Sequence, residues 1–498
     1  MHYLGLDIGT SRCKAAVFDD QGRQVAEAFR AYDVQFSAGG GAVLDPDRVI
    51  SLCFEVIREC TSQPGVRPVT ALAISSQGEA FTPVDRQGRA LAPAMVSSDM
   101  RALSYAEQWP RSFGEERLYR ITGHTAHPIF TLFKLLWMKD HLPEVWENTY
   151  KFLCFEDLMQ YRLGVDPAVS WSLAGRTMLF DVQQHRWSEE ILGELNLAPE
   201  RLARPLPSGR VAGEVSPVLA GELGLDRNTL VVTAGHDQGV SALGGGVVTP
   251  GTAAYAMGTV ECITPVMAQP VFSETLRKNN YCTYDHAVEG KYITLAYSIT
   301  GGNLLKWFRD EFGAFEKAEA EKTGVDPYEL ILSEMTDTPS GLMVLPYFTS
   351  SGTPYFDSST KGAILGLRLS TGRGEFLRGL LEGVALEMRL NLWILEKAGH
   401  RIDVLRAVGG GARSRVLLQL KADVTGKRVV LPDVSEAGCL GGAMLACAAQ
   451  SGTPVSEIAP RWVKLTGELE PNPAFRETYD RKFEKYRIFY GKIKEIDI

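Results

Sequence analysis

Short apolar runs separated by polar turns open the chain. Residues 3–7 (YLGLD) and 14–18 (KAAVF) predict two strands, joined through Ile8-Gly9-Thr10-Ser11-Arg12-Cys13, a tight glycine-containing turn. Asp19-Asp20-Gln21-Gly22-Arg23 predicts a second turn, leading to a third strand near 25–29. The same D-x-Q-G-R string returns at 85–89, after a strand at 71–75 and the run 81–84, and marks another hairpin. Over 47–60 the period becomes helical, with Val49, Ile50, Cys53, Phe54, Val56 and Ile57 on one broad face. Asp45-Pro46-Asp47 supplies a capping carboxylate and a proline at its first position. Another helix is predicted over 131–139, and Pro110 and Pro143 flank further helical stretches.

A strand at 230–234 meets Gly235-His236-Asp237-Gln238, and Gly244-Gly245-Gly246 follows. The triple glycine lets the chain turn without side-chain cost and sets the expected domains at 1–244 and 245–498. The second half restarts the pattern: a strand at 253–257, the turn Gly258-Thr259, and a returning strand at 260–264. A long helix follows at 373–398, then a strand at 403–408, glycines 409–411 and a helix at 414–425. Small residues over 437–449 predict a helix whose backbone can approach a neighbour closely. Two α/β halves, each opening with a strand–Gly-Thr–strand hairpin, point to a two-domain ATPase with a cleft between the halves.

Composition narrows the class without naming it. At roughly 150 residues per domain, 498 residues suggest about three units, though large α/β domains exceed that length. Apolar residues make up 45% and charged residues 22%, which excludes disorder and fibrous repeats. Lys plus Arg number 52 against 60 Asp plus Glu, a formal charge of −8, and this argues against non-specific binding to nucleic acid or anionic membrane. The 8 cysteines form no C-x-x-C pair and have no His at zinc spacing, so reduced thiols of a cytoplasmic protein are expected. Residues 238–260 carry no charge, but their glycines and Pro250 read as loops and short strands, not a membrane span. The first residues enter a strand at once, with no basic-then-apolar leader.

Five constellations carry candidate chemistry. Asp7 ends a strand before Gly9-Thr10-Ser11, with Lys14 just beyond, so amides and two hydroxyls converge where phosphate can sit and a carboxylate can hold Mg²⁺ through water. Taken alone this is equally an ordinary β-hairpin, and it is not a Walker A loop. Gly258-Thr259 is the equivalent turn of the second half, a candidate second phosphate clamp. Gly409-Gly410-Gly411, between a strand and a helix, lets a flat ring or a phosphate approach the backbone; a tight turn is the other reading. Asp237 ends a strand, where open α/β sheets place ligands, and is either the cap of the following helix or a proton acceptor for an attacking alcohol. Gln77 and Glu79, then Asp99, follow a buried strand and are either polyol ligands or loop surface.

In this order the segments resemble the FGGY family of carbohydrate kinases, of the actin, hexokinase and Hsp70 ATPase superfamily. The resemblance runs from Leu6-Asp7-Ile8-Gly9-Thr10 through 134–141, Arg176-Thr177-Met178-Leu179-Phe180-Asp181, 235–238, Gly258-Thr259, 301–310, 345–347 and 362–382 to 409–423. It implies two actin/hexokinase-like (ribonuclease H-like) α/β domains around an ATP and sugar cleft. It implies that Asp237 is the catalytic base, Asp7 the Mg²⁺-associated carboxylate, and Thr10, Ser11 and Thr259 phosphate contacts. Gly302, Gly409 and Gly410 are similar to positions lining the adenosine site, and Ser414 stands where glycerol kinases carry Asn. Gln77, Glu79 and Gln238 fall where the family contacts its substrate.

Departures bear on the substrate. Gly78 stands where glycerol kinases have Arg, and Ile129 where they have Tyr, so glycerol is not the expected acceptor. Xylulose kinases usually carry Met-His at Gly78-Glu79, Asn at Gln238 and Trp at Ser97. A small glycine plus an acidic acceptor suits a polyol or ketose, with ATP and Mg²⁺ as cofactors. The leading expectation is a ketopentose such as xylulose. Erythritol, erythrulose, ribulose and gluconate are the alternatives. Gluconate would need a cation in the substrate loop, with Arg101 and Lys134 the nearest candidates. A non-catalytic sugar-responsive regulator is the remaining reading, disfavoured because Asp7 and Asp237 are both present. The expected partner is a small sugar or polyol, not nucleic acid or membrane, and a homodimer stays open.

Overall fold

The structure is a computed structural model and describes residues 1–66 and 68–496. Its first sheet is built from β1 (His2–Ile8), β2 (Arg12–Asp19), β3 (Gln24–Ala31), β4 (Val69–Ser76), β5 (Val211–Glu214) and β6 (Leu230–His236), in the order β5-β6-β4-β1-β2-β3. Strands β1, β4 and β6 run parallel, while β2, β3 and β5 pair antiparallel to their neighbours. The second sheet uses β7 (Gly251–Met257), β8 (Glu261–Met267), β9 (Ala296–Ser298), β10 (Ile402–Val408), β11 (Arg428–Pro432) and β12 (Leu465–Leu469), in the order β9-β8-β7-β10-β11-β12. The short strands Tyr284–Asp285 and Tyr292–Ile293 extend it beyond β8. Again the three inner strands are parallel and the flanking ones antiparallel.

Helices α1 (Pro46–Thr61), α2 (Thr131–His141), α3 (Asp237–Gly244), α4 (Gly302–Phe312), α5 (Arg373–Lys397), α6 (Arg415–Thr425) and α7 (Ala437–Ser451) carry most of the packing that concerns the site. Helix α1 starts as its sequence dictates: Asp45 accepts from the Arg48 amide at 3.0 Å and Pro46 takes the first turn. The two D-x-Q-G-R turns also fold alike. In each, the Asp Oδ1 accepts from the amides two and four residues on at 2.9 Å, and the Arg Nε reaches the Asp Oδ2.

Side-chain size alternates across the first sheet. Leu4, Leu6, Ile8, Leu72 and Ile74 share one core with Val49, Cys53 and Val56 of α1. The opposite face is lined by small residues, Ala16, Ala71, Ala73 and Ala234, and there α7 lies across β1, β4 and β6 with Leu440 and Met444. A Cβ on Gly5 would fall 1.8 Å from the Cys439 carbonyl oxygen, and one on Gly244 would fall 1.9 Å from that of Ala437. Glycine at both positions is therefore the condition for α7 to approach at backbone distance, as its own small-residue sequence predicts. Helix α7 thus belongs to the second half by chain position and to the first sheet by packing.

Two local expectations are corrected. Residues 238–260 are not loops and short strands alone, because α3 and β7 occupy most of the segment. Pro110 lies inside the helix Leu103–Phe113, in its last turn, and does not flank it; it lacks an amide donor toward the preceding turn, while its carbonyl accepts from the Gly114 amide at 2.8 Å. All 8 cysteines are free and buried, and among the described residues no helix is long and apolar enough to cross a membrane.

Candidate active site

Strand register gathers the first group of residues. Asp7 pairs with Ser75 across β1–β4, and His236 pairs with Ser76 across β4–β6, so Asp7, Gln77 and Asp237 leave neighbouring parallel strands at one sheet edge. The Asp7 Oδ1 accepts from the Ser75 hydroxyl at 2.9 Å, and its Oδ2, beside Gly438, has no hydrogen-bond partner among the described residues. Loss of water raises the Asp7 pKa, against the lowering pull of Ser75 and Lys14. Lys14, its cross-strand partner, is ion-paired with Glu436 just before α7.

Gln77 serves the hairpin. Its amide nitrogen donates to Ile8 O at 2.8 Å, its Nε2 to Gly9 O at 3.1 Å, and its Oε1 accepts from the Thr10 hydroxyl at 3.3 Å. Thr10 and Ser11 themselves stand exposed at the tip. The side chain expected to contact substrate therefore fixes the expected phosphate loop.

In the second half, Gly258 donates to Val260 O at 3.0 Å, and the amides of Gly302 and Asn303 donate to the carbonyls of Gly258 and Thr259 at 2.9 and 3.1 Å. The N-terminus of α4 is thereby pinned to the hairpin turn. Gly409 adopts φ +88°, and a Cβ there would lie 3.0 Å from Met257 O, so the glycine run is needed for this junction. Gly410 begins the 3₁₀ turn Gly410–Arg413, and Ser414 caps α6 by accepting from the Leu417 amide at 3.4 Å. Gly258, Thr259, Gly302 and Gly409 are thus brought together, with Gly410 and Ser414 on the adjoining turn.

Asp237 is the first residue of α3, but His236 is the N-cap and no side chain caps the helix, so the capping reading of Asp237 is corrected. Its Oδ1 accepts from Gln238 Nε2 at 3.2 Å and lies 3.2 Å from His236 Nε2. About a quarter of the side chain (26%) reaches solvent. Removal of water, then the nearby Asp7 and Glu79 charges, push its pKa up to about 7.

Glu79 sits at φ +62°, an uncommon conformation for a non-glycine residue. Arg176 fixes it: Arg176 Nε donates to Glu79 Oε1 at 2.7 Å, Nη2 donates to the same oxygen, and Nη1 lies 3.0 Å from His124 Nε2. The Glu79 carbonyl accepts from Thr131 and Lys134 of α2 at 2.8 and 3.3 Å. Burial and the Arg176 charge hold His124 and His236 well below the usual imidazole pKa, and burial brings Lys134 down to about 8. Asp99 is fully buried, its oxygens taken by Arg101 and the Ala42 amide, the latter at 2.9 Å. It braces the loop that carries it.

Sequence reasoning missed Arg176, His124 and Tyr284 as members of this cluster. Arg176 gave a signal: it is the lone charged residue of 167–180, and a charge within an apolar run must find a partner once buried. As for a metal, no group of three or more His, Cys, Asp or Glu among the described residues could hold one unaided. A lone carboxylate with one free oxygen, beside a phosphate-type turn, fits an Mg²⁺ that arrives on nucleotide phosphates. A cavity of about 620 Å³ lies by Arg389, Trp393 and Lys427, and holds none of these residues.

Comparison with known proteins places the chain. Residues 2–244 match the N-terminal domain of the FGGY family of carbohydrate kinases, and residues 253–450 match the C-terminal domain. The chain is 25% identical over 500 residues to a xylulose kinase of Bacillus subtilis (strain 168), covering 100% of this chain and 98% of the relative. It is 26% identical over 449 residues to a gluconokinase of the same organism, covering 89% and 86%. Among solved structures, a "xyloylose kinase" from Brucella ovis superposes with a TM-score of 0.89 at 26% identity, covering 100% of both chains.

Proposed function

Since the chain belongs to the FGGY family of carbohydrate kinases, we propose that it transfers the γ-phosphoryl group of ATP to a hydroxyl of a ketopentose such as xylulose, with Asp237 as general base. One observation carries the reading: the Asp237 carboxylate stands at a strand end, about a quarter exposed, held by Oδ1 and with a pKa of about 7. A base so poised holds the acceptor hydroxyl and takes its proton as the oxygen attacks the γ-phosphorus. The new P–O bond forms as the bond to the bridging oxygen breaks, and ADP leaves.

Residues 1–244 are assigned to the sugar and the base, and residues 245–498 to the nucleotide. Thr10, Ser11, Lys14, Gly258 and Thr259 are assigned to the phosphates, and Gly302, Gly409, Gly410 and Ser414 to the adenosine. Asp7 would hold Mg²⁺, which when bound neutralises charge building on the phosphates. Glu79 and Gln238 are assigned to sugar hydroxyls, with Gln77 and Asp99 supporting that region from the hairpin and the loop.

Charge pairing favours a neutral acceptor. Arg176 is matched by Glu79, Arg101 by Asp99, and Lys134 is fully buried against carbonyls. Among these described cations two are matched by carboxylates and the third is withdrawn from solvent, which ranks gluconate second although a gluconokinase is among the relatives. The test is ADP release with Mg-ATP across D- and L-xylulose, D- and L-ribulose, erythritol, erythrulose, glycerol and gluconate. Turnover led by a ketopentose is expected. Turnover led by gluconate would overturn the neutral-substrate reading, and turnover on none would favour a sugar-responsive regulator.

A further inference from the structure

A buried tyrosine and histidine stand behind Asp237 without any role in binding or phosphate transfer. His236 Nδ1 lies 2.8 Å from the Tyr284 hydroxyl, and His236 Nε2 lies 3.2 Å from Asp237 Oδ1. Tyr284 is wholly buried and His236 is 4% exposed, so neither meets bulk water. We propose that Tyr284 and His236 are positioning residues that hold Asp237 by Oδ1 and so present Oδ2 as the atom that receives the substrate proton.

Hydrogen-bond direction follows from the chemistry of the groups. Burial, and then the nearby Arg176 and His124, keep the His236 imidazole neutral, with one ring proton. An ionised Asp237 only accepts, so that proton sits on Nε2, and Nδ1 accepts from the Tyr284 O–H. Gln238 Nε2 donates to the same Oδ1 at 3.2 Å. The His236 ring and the Gln238 side chain therefore grip one oxygen, and the Gln238 backbone amide adds a hydrogen bond to the carboxylate. Oδ2, with no side-chain partner among the described residues, is the basic one. Asp7 and Glu79 face the carboxylate as like charges, so its fixed orientation depends on these donors.

Gly78 fits this arrangement. A Cβ at 78 would lie 2.9 Å from both Cδ2 and Nε2 of His236. The glycine that separates this chain from glycerol kinases thus leaves the space the His236 ring occupies. Tyr284 lies beyond residue 245 and Asp237 before it, so the second half sets the aim of the first half's base.

The proposal rests on Asp237 being the base, and the experiment separates the two. Turnover by the full-length protein is measured with Mg-ATP and its best sugar, resolving kcat from sugar KM, for Asp237→Ala, Tyr284→Phe, His236→Leu, His236→Gln and Gly78→Ala, each with a melting curve. Tyr284→Phe is expected to lower kcat roughly tenfold with sugar KM within about twofold, and His236→Leu roughly a hundredfold, because orientation of a general base is lost. His236→Gln, which keeps an N–H donor, is expected to recover most of that loss, and Gly78→Ala to fall between. If His236→Leu does not fold, Tyr284→Phe decides. An inactive Asp237→Ala beside a Tyr284→Phe of unchanged kcat overturns the positioning role alone, as does a His236→Gln no better than His236→Leu. Turnover by Asp237→Ala overturns the base, and the positioning role with it.

Discussion

The two halves share one framework and differ in what their strand ends carry. Each sheet has a hairpin beside two further parallel strands and an antiparallel edge: β3-β2-β1-β4-β6-β5 in the first, β9-β8-β7-β10-β11-β12 in the second. At the hairpin turns Gly9 corresponds to Gly258, so the Asp7 position falls on Ala256 in the second half. The first half arms its strand ends with Asp7, Glu79 and Asp237; the second keeps Gly258, Gly302, Gly409 and Gly410 at the corresponding junctions. One repeat concentrates charge, and the other clears space for a ligand to approach the backbone. A shared topology therefore fixes where a site can be built and not what it does.

The largest effect tests that division at its centre. Asp237→Ala should reduce sugar-dependent ADP release by roughly a thousandfold or more while nucleotide binding, followed by calorimetry, stays near wild type. Comparable loss of both would mean that the halves do not divide the work.

Glu79→Ala should weaken sugar binding and also cost about 3–5 kcal/mol of stability, because it strands the buried Arg176 guanidinium. Thermal melting with and without sugar checks it, and an unchanged Tm would show that Arg176 finds another partner. The matching change in the second half is Gly409→Ala. A left-handed backbone and a Cβ 3.0 Å from Met257 O should cost about 1–3 kcal/mol and raise the KM for ATP, with the sugar KM unaffected.

The smallest effect concerns pH. A carboxylate raised to about 7 must ionise to act as a base, so kcat should fall as pH drops through about 7. Its folded pKa lies above the unfolded one, so its contribution to stability is present at low pH and lost as pH rises through about 7. Asp237→Asn should therefore melt higher than wild type at pH 8, by about 1 kcal/mol, with the gain vanishing near pH 4. Equal melting at both values would place the ionised carboxylate in a more solvated setting.

Much of the framework was legible because it is local. Hairpin turns at Gly9 and Gly258, the Asp45 cap and the glycine run before α6 are each specified within a few residues. The candidate site was legible as a set of strand ends, where Asp7 and Asp237 do come together. Pairings across long separations were not: Glu79 meets Arg176 across 97 residues of the first half, and His236 meets Tyr284 across the two halves. The same limit hid the work of Gln77, whose partners lie 67 and 68 residues away. Propensity cannot reach that far, and only close packing decides which polar groups meet.

Helix α7 also sets a timetable. The first sheet is complete when β6 has been made, yet its alanine-lined face is covered by a helix that ends at Ser451. At roughly 5–20 residues per second, a ribosome needs about 10 to 40 s to cover that interval. Through that time a finished apolar surface waits for its lid, which makes the nascent chain a candidate client for chaperones that shield exposed sheets during synthesis.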